Sequence, residues 1–132
     1  MKPLAIAFLA VSMLTGTHAV AQDAATLNDL EIAHVAYTAD NIDIRYAHLA
    51  LALTSSPEVR TFAETMIRDH TAVNTAALDL LAKLDAQAQD NFLSQTLNAN
   101  ANAEKIIDDL SALRGAEFDR AYAANELAYH KA

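Results

Sequence analysis

Cysteine is absent from this chain of 132 residues, and glycine and proline occur only twice each. Without thiols the protein forms no disulfide, no lipid-modified N-terminal cysteine, no zinc–thiolate or iron–sulfur site and no cysteine nucleophile. With so little glycine there is neither a phosphate-binding loop nor a nucleophile elbow, so nucleotide hydrolysis and acyl transfer lack support. A chain so poor in helix breakers and so rich in alanine and leucine should be mostly helical.

Positive charge is also scarce. The chain has 9 Lys and Arg residues against 17 Asp and Glu residues, which gives a formal net charge of −8 at pH 7. An acidic domain repels phosphate backbones and anionic lipid head groups. We therefore expect no nucleic-acid partner, and we expect stability to come from helix packing, from an oligomer, or from a metal ion held by His and carboxylate side chains.

The first residues have the pattern of an export signal. Lys2 precedes an apolar run from Leu4 to Leu14, and residues 19–21 (Ala-Val-Ala) have the small-x-small pattern that signal peptidase accepts. A helix over this run is about 16 Å long, at about 1.5 Å per residue, and cannot cross a hydrocarbon core of about 30 Å. We predict cleavage between Ala21 and Gln22 rather than a membrane anchor.

These features define three parts of the chain. We predict a signal peptide over residues 1–21, a flexible leader over residues 22–26 and a helical bundle domain over residues 27–132. No later segment is long and apolar enough to span a membrane, so the predicted location of the mature chain is the periplasm, as a soluble protein.

The apolar residues of the mature chain recur with helical spacing. A first helix is predicted from Leu27 to Leu53, with apolar residues on two sides, which is typical of a helix that lies between neighbours. A second helix begins with Ser56 as N-cap and Pro57 at the first helical position. Its apolar seam alternates strictly between spacings of four and three, and comprises Val59, Ala63, Met66, His70, Val73, Ala77, Leu80 and Leu84.

The second half of the chain predicts weaker helices. A third helix should run from Phe92 to Leu113, with a break or fraying where asparagines dilute it, and Gly115 should be its left-handed C-cap. A short last helix follows from about Ala116. The fold class is therefore all-α, an antiparallel bundle of three long helices plus a short last helix. Because this bundle is uneven, we expect either that a homodimer or an envelope protein partner completes it, or that the chain is a fragment of a longer protein.

Three runs resemble motifs of one protein family. They are residues 56–63 (Ser-Pro-Glu-Val-Arg-Thr-Phe-Ala), residues 66–71 (Met-Ile-Arg-Asp-His-Thr) and residues 115–122 (Gly-Ala-Glu-Phe-Asp-Arg-Ala-Tyr), the last followed by Tyr129 and His130. The family is domain-of-unknown-function family 4142, exported bacterial proteins often labelled predicted outer membrane protein. The resemblance covers nearly all of the mature chain. It implies a ferritin-like bundle without an established activity, and one more long helix than this chain carries. Helical periods favour peripheral association with the outer membrane at most.

Ferritin-like bundles suggest where a metal could bind. Such proteins hold two metals with Glu residues and Glu-x-x-His pairs on facing helices. One such pair is present, Glu31 with His34, and no second copy is found, which argues against a di-iron oxidase. Glu126 and His130, four residues apart, are a looser analogue, and His70 lies on the apolar seam. The candidate ligands for a transition metal ion are therefore Glu31, His34, His70, Glu126 and His130.

Each candidate also has a structural interpretation. For His70, a core histidine bonded to a carboxylate or carbonyl across the bundle is the commoner outcome. His34, Asn41 and His48 repeat every seven residues and are interpreted as a polar edge of helix one. Two function hypotheses follow: a non-enzymatic cell-envelope or stress-related protein, and, as the alternative, a bundle that binds iron, copper or zinc.

Overall fold

The computed structural model describes residues 27–101 and 103–131, with the backbone alone at residues 100 and 101. Within these ranges the chain forms helices and no strand, in the order α1 (Asp29–Leu53), α2 (Pro57–Lys83), α3 (Phe92–Ala101), α4 (Ala103–Ser111) and α5 (Gly115–Tyr129). The predicted all-α class is confirmed. The predicted signal peptide and leader lie outside the described residues. None of the described helices has the length and apolar character needed to cross a membrane.

Helix α1 begins with a complete capping box. Asn28 accepts hydrogen bonds from the backbone N–H groups of Leu30 and Glu31, and the Glu31 carboxylate accepts from the Asn28 N–H at 2.9 Å. These bonds satisfy N–H groups that a helix start otherwise leaves unpaired. The helix therefore begins two residues later than the predicted start at Leu27.

Helix α1 is the centre of the bundle and packs against all four other described helices. Ile42, Tyr46, Ala47 and Ala50 are its buried apolar residues. The small alanines let neighbouring helices approach closely, and the ring of Tyr46 meets that of Tyr129 edge to face, with centroids 5.7 Å apart. The position between neighbours that its two apolar sides predict is confirmed. The rest of the core comprises Ala63, Ala103, Leu110, Phe118 and Tyr122.

Helix α2 has the predicted start, with Ser56 as N-cap and Pro57 first in the helix. The predicted seam is only half correct. Ala63 is buried, but Val73, Leu80 and Leu84 are 55%, 56% and 64% exposed. Among the described helices, only α1 packs extensively on α2. Val73, Leu80 and Leu84 therefore have little apolar packing against the described helices, whereas Ala77 and Leu81 are half-buried.

The end of α2 carries a Schellman motif. The N–H of Ala86 donates to the carbonyl of Leu81, the N–H of Asp85 donates to that of Ala82, and Asp85 itself has a φ of 49°. Residues with a side chain rarely adopt this left-handed conformation, and glycine occupies most such positions. The turn is thus hydrogen-bonded but strained at Asp85.

The predicted third helix is described in two parts, α3 and α4, because residue 102 between them lies outside the described residues. The expected break or fraying among the asparagines stays a prediction. Helix α4 ends at Ser111 rather than at Leu113, and Arg114 is the N-cap of α5. Gly115 has the predicted left-handed φ, 56°, but as the first residue of α5 rather than as the C-cap of the preceding helix.

Asp85 and Gly115 predict opposite effects of substitution. Asp85→Gly should raise the free energy of unfolding by about 1 kcal/mol, because it removes the left-handed strain. Gly115→Ala should lower it by about 1 kcal/mol, because nothing lies within 4 Å of an added Cβ and the cost is backbone strain alone. Thermal unfolding checks both, at about 4–8 °C per kcal/mol for a domain of this size.

Asp85→Ala is the matched control, because it removes the carboxylate and keeps the strain. A melting temperature that rises as much for Asp85→Ala as for Asp85→Gly would contradict this interpretation and attribute the effect to charge.

Candidate metal centre

The site is built around Asp43, a carboxylate on the inner face of α1. Its side chain is 1% exposed. Asp43, Ala47 and Ala50 follow the four-three spacing of one helix face, and all three are completely buried. A carboxylate in such a place is costly unless hydrogen bonds or a counter-charge compensate for the lost water.

His70 of α2 reaches across to α1 and lies between two carboxylates. Its Nδ1 is 2.6 Å from Oδ1 of Asp40, and its Nε2 is 2.6 Å from Oδ2 of Asp43. The contact with Asp40 has hydrogen-bond geometry. The contact with Asp43 does not, and both oxygens of Asp43 lack a hydrogen-bond donor among the described residues. Asp40 therefore fixes the ring of His70, while Nε2 is directed at an unsatisfied carboxylate.

His130, the C-cap of α5, approaches the same carboxylate from a third helix. Its Nε2 lies 3.7 Å from Oδ2 of Asp43. Its Nδ1 lies 2.9 Å from the backbone carbonyl of Glu126. A carbonyl only accepts, so Nδ1 carries a hydrogen, and Nε2 is the ring nitrogen that faces Asp43. Both histidines thus use Nδ1 for an oxygen of the protein and present Nε2 to Asp43.

Glu126 is the fourth member of the cluster and is 3% exposed. Burial, together with the contact with the Asp43 carboxylate, raises the pKa of Glu126 from its ordinary 4.5 to about 9. Neither oxygen of Glu126 has a donor among the described residues. A protonated Glu126 can donate its own hydrogen to Asp43, so one proton shared by the two carboxyls reduces the cost of burying them.

Tyrosines close the site on its inner side. Burial raises the pKa of Tyr46 to about 12, with a smaller contribution from the negative charge of Glu126. Burial and the nearby carboxylates also raise the pKa values of Tyr122 and Tyr129. These hydroxyls stay protonated at neutral pH. Tyr129 donates to the carbonyl of Ala39 at 2.9 Å, which ties α5 to α1 beside the site.

The distances in the cluster fit a metal ion. One ligand atom from each of Asp43, His70 and His130 lies within 4.8 Å of the other two. Atoms that share an ion at about 2 Å lie no more than about 4 Å apart, so small side-chain rotations would bring these three into coordination. The two oxygens of Asp43 are consistent with this, because buried acceptors without a donor can be satisfied by a proton or by a cation.

The structure brings together three of the five predicted ligands, His70, Glu126 and His130. Glu31 and His34 lie nearer the start of α1. Glu31 caps that helix, and His34 is 3.7 Å from Asp90, with Nδ1 facing Oδ1. His34 precedes Asp43 by nine residues, about 14 Å along a helix at about 1.5 Å per residue. Neither side chain shares the ligand set around Asp43.

Two residues of the site were missed by the sequence reasoning, Asp40 and Asp43. The signal was present, because Asp43 heads the four-three line of Ala47 and Ala50, and Asp40 lies one turn before it. An acid on a line of small residues would not tolerate burial without a partner. The apolar faces of α1 were predicted from its larger apolar side chains, and the line of Asp43, Ala47 and Ala50 was not counted among them.

The raised pKa of Glu126 predicts a pH dependence of stability. A carboxyl that binds its proton more tightly in the folded state stabilises the fold fully below pH 4.5 and loses that stabilisation as the pH rises through 9. Relative to Glu126→Gln, the free energy of unfolding of the wild type should fall by about 1.4 kcal/mol per pH unit within this window. Urea unfolding at several pH values, in the presence of a chelator, measures it.

Glu117→Gln is the matched control, because Glu117 is an exposed carboxylate on the same helix. The difference in free energy of unfolding between Glu117→Gln and the wild type should be the same at pH 5 and at pH 8. If the difference in free energy of unfolding between Glu126→Gln and the wild type is also independent of pH, Glu126 is ionised in the folded protein and the shared proton is absent.

The comparisons with known proteins give a family and no activity. The chain matches no curated protein and no solved structure. The model of one family, described as "Domain of unknown function (DUF4142)", matches residues 14–132. This range includes α1, α2 and α5, and with them every residue of the cluster around Asp43. The chain therefore belongs to the DUF4142 family, the one that its sequence motifs resemble.

Proposed function

We propose that this protein is an exported helical bundle that binds one divalent transition metal ion through Asp43, His70 and His130. The observation that supports it is the convergence of one carboxylate oxygen and two imidazole nitrogens, within 4.8 Å, from side chains of three separate helical segments. The proposal selects the metal-binding alternative of the two hypotheses that the sequence left open.

The surroundings of the two imidazoles favour this role. Metal-ligating histidines nearly always donate their other ring N–H to a carboxylate or a backbone carbonyl, which fixes the tautomer and orients the ring. His70 has Asp40 in that position at 2.6 Å, and His130 has the carbonyl of Glu126 at 2.9 Å. A simple ion pair with Asp43 would need one histidine, whereas here two histidines with fixed rings both direct Nε2 at the same buried carboxylate.

The donor set restricts the metal. Two imidazoles and a carboxylate suit Zn²⁺, Fe²⁺, Cu²⁺ and Ni²⁺ rather than Ca²⁺ or Mg²⁺, which prefer oxygen alone. Three protein ligands leave a coordination position for water or for Glu126. His130 has a side chain that is 42% exposed, which gives an ion a route to the site. The arrangement suits reversible binding or buffering of a metal.

The other hypothesis, a non-enzymatic envelope protein that acts through contacts, is supported by a different surface. Val73, Leu80 and Leu84 expose their side chains along the second half of α2. A homodimer or an envelope protein partner that covered them would bury apolar area. The two functions are compatible, because this exposed surface lies in the second half of α2, after His70, which is the residue that α2 contributes to the cluster.

Metal binding predicts a stoichiometric ion and a rise in stability. Zn²⁺ should bind at one per chain in equilibrium dialysis, and His70→Ala or His130→Ala should abolish that binding. An ion present at 100 times its dissociation constant adds about 2.7 kcal/mol, which raises the melting temperature of a domain this size by about 10 °C or more. His48→Ala is the control, because His48 is exposed on α1 and outside the cluster.

Three outcomes would count against the proposal. They are the absence of bound Zn²⁺, equal loss in His48→Ala and His70→Ala, and binding of several ions per chain with no thermal shift. The last would indicate loose association with surface carboxylates.

Export is tested separately. Expressed with its own residues 1–21 in a Gram-negative host, the chain should be recovered from the periplasmic fraction with Gln22 as its first residue. Lys2→Glu with Leu9→Arg, which removes the positive start and interrupts the apolar run, should keep it in the cytoplasm at full length. Mass spectrometry of both fractions measures this, and recovery of the uncleaved wild type from the cytoplasm would contradict export.

A further inference from the structure

A groove separates α2 from α5 and leads to the cluster. It has a volume of about 520 Å³, within the range of small-molecule sites. Its walls are apolar, formed by Val59, Phe62 and Met66 on α2 and by Leu127 on α5. Phe62 is 40% exposed and Leu127 is 57% exposed, so both are open to an entering molecule.

The inner end of the groove has buried polar atoms without partners. Tyr122 is 1% exposed, and its hydroxyl has no hydrogen-bond partner among the described residues. Glu126 is 3% exposed, and neither of its oxygens accepts a hydrogen bond from a described residue, although its own proton can be donated to Asp43. Both residues line the groove. Buried polar atoms are almost always satisfied, so two neighbouring exceptions at the end of an apolar groove point to a ligand that would satisfy them.

The charges that line the groove select the ligand's polar group. Glu58 is an exposed acid and Glu126 a buried one, and no lysine or arginine is among the lining residues. Because Glu126 shares its proton with Asp43, the negative charge of the lining is that of Glu58. A hydrogen bond from the backbone N–H of Glu58 itself and one from the Ser56 hydroxyl lower the pKa of the Glu58 carboxyl, so this carboxyl is ionised. The net charge of the chain is −8. An anionic ligand would be repelled, whereas a cation is attracted.

The aromatic side chains that line the groove also favour a positively charged ligand. The ring centroids of Phe62 and Tyr122 are 6.3 Å apart, and the rings are tilted by 66°. Cations are attracted to aromatic faces when they lie within about 6 Å of the centroid. An ammonium group has three donors, so it can bond Tyr122 and Glu126 together. Glu126 accepts from it in either protonation state, because a protonated carboxyl keeps its carbonyl oxygen.

We propose that the groove between α2 and α5 binds a small cationic amphiphile, a molecule with an apolar body and an ammonium head. The body lies against Phe62, Met66 and Leu127. The head donates to Tyr122 and Glu126 at the inner end. This goes beyond metal binding, because it assigns a ligand class to the apolar walls of the groove, and none of Val59, Phe62, Met66 and Leu127 is a proposed metal ligand.

A series of constant chain length tests the proposal. n-Octylammonium, 1-octanol and octanoate carry one apolar chain and a positive, neutral or negative head. Isothermal titration calorimetry on the metal-free mature chain, with a chelator present and below micellar concentrations, should give the lowest dissociation constant for n-octylammonium. Its value should be at least about tenfold below that of octanoate, equivalent to about 1.4 kcal/mol.

Variants locate the binding. Leu127→Asn should weaken n-octylammonium binding about tenfold, and Leu78→Asn should not. Leu78 is the matched control, because it is 50% exposed on α2 and does not line the groove. Tyr122→Phe removes only the hydroxyl and should reduce the preference for n-octylammonium over 1-octanol. Circular dichroism confirms that each variant is folded.

Three results would overturn the proposal. Octanoate binding with the same affinity as n-octylammonium would mark the groove as a non-selective apolar surface. Equal loss in Leu127→Asn and Leu78→Asn would place the amphiphile elsewhere. Sedimentation that shows a dimer dissociated by Leu127→Asn, without n-octylammonium binding, would assign the groove to a second copy of the chain. Because no metal is present, none of these results depends on the fate of the metal proposal.

Discussion

Burial of the Asp43 carboxylate is the constraint on which the arrangement of helices around α1 depends. Moving an ionised carboxylate out of water costs several kcal/mol unless it is paired and hydrogen-bonded. Helix α2 supplies His70 at 2.6 Å, and α5 supplies His130 at 3.7 Å together with Glu126. These contacts place α2 and α5 at one level of α1. Replacement of Asp43 by an apolar residue would remove the cost, and would also remove the reason for three polar partners to converge.

The same cluster links the metal proposal to the ligand groove. Glu126 touches Asp43 on one side and lines the groove between α2 and α5 on the other. Asp40 and the carbonyl of Glu126 hold the two imidazoles by Nδ1, so Nε2 of each ring faces the carboxylate. Such preorganisation lowers the reorganisation needed to bind an ion. The family match gives no activity of its own, and the chemistry of the site is what distinguishes one function from another.

The fold was largely predictable from local patterns, and the site only in part. Ser56 and Pro57 predict the start of α2 because capping is a property of adjacent residues. His70 stood out because a histidine on an apolar seam needs a partner. Its partners, Asp40 and Asp43, could not be deduced, because the register of one helix against another depends on packing across the whole bundle. The exposed second half of α2 was missed for the same reason, since periodicity describes one helix and not what covers it.

The most direct measurement of the central claim is anomalous diffraction from crystals of the mature chain grown with Zn²⁺, recorded on both sides of the zinc absorption edge. The account predicts one strong anomalous peak, about 2 Å from Nε2 of His70, Nε2 of His130 and a carboxylate oxygen of Asp43. The contradicting result is a map without a peak at this cluster, with His70 still held between Asp40 and Asp43. The cluster would then be an ion-pair network that holds the helices together.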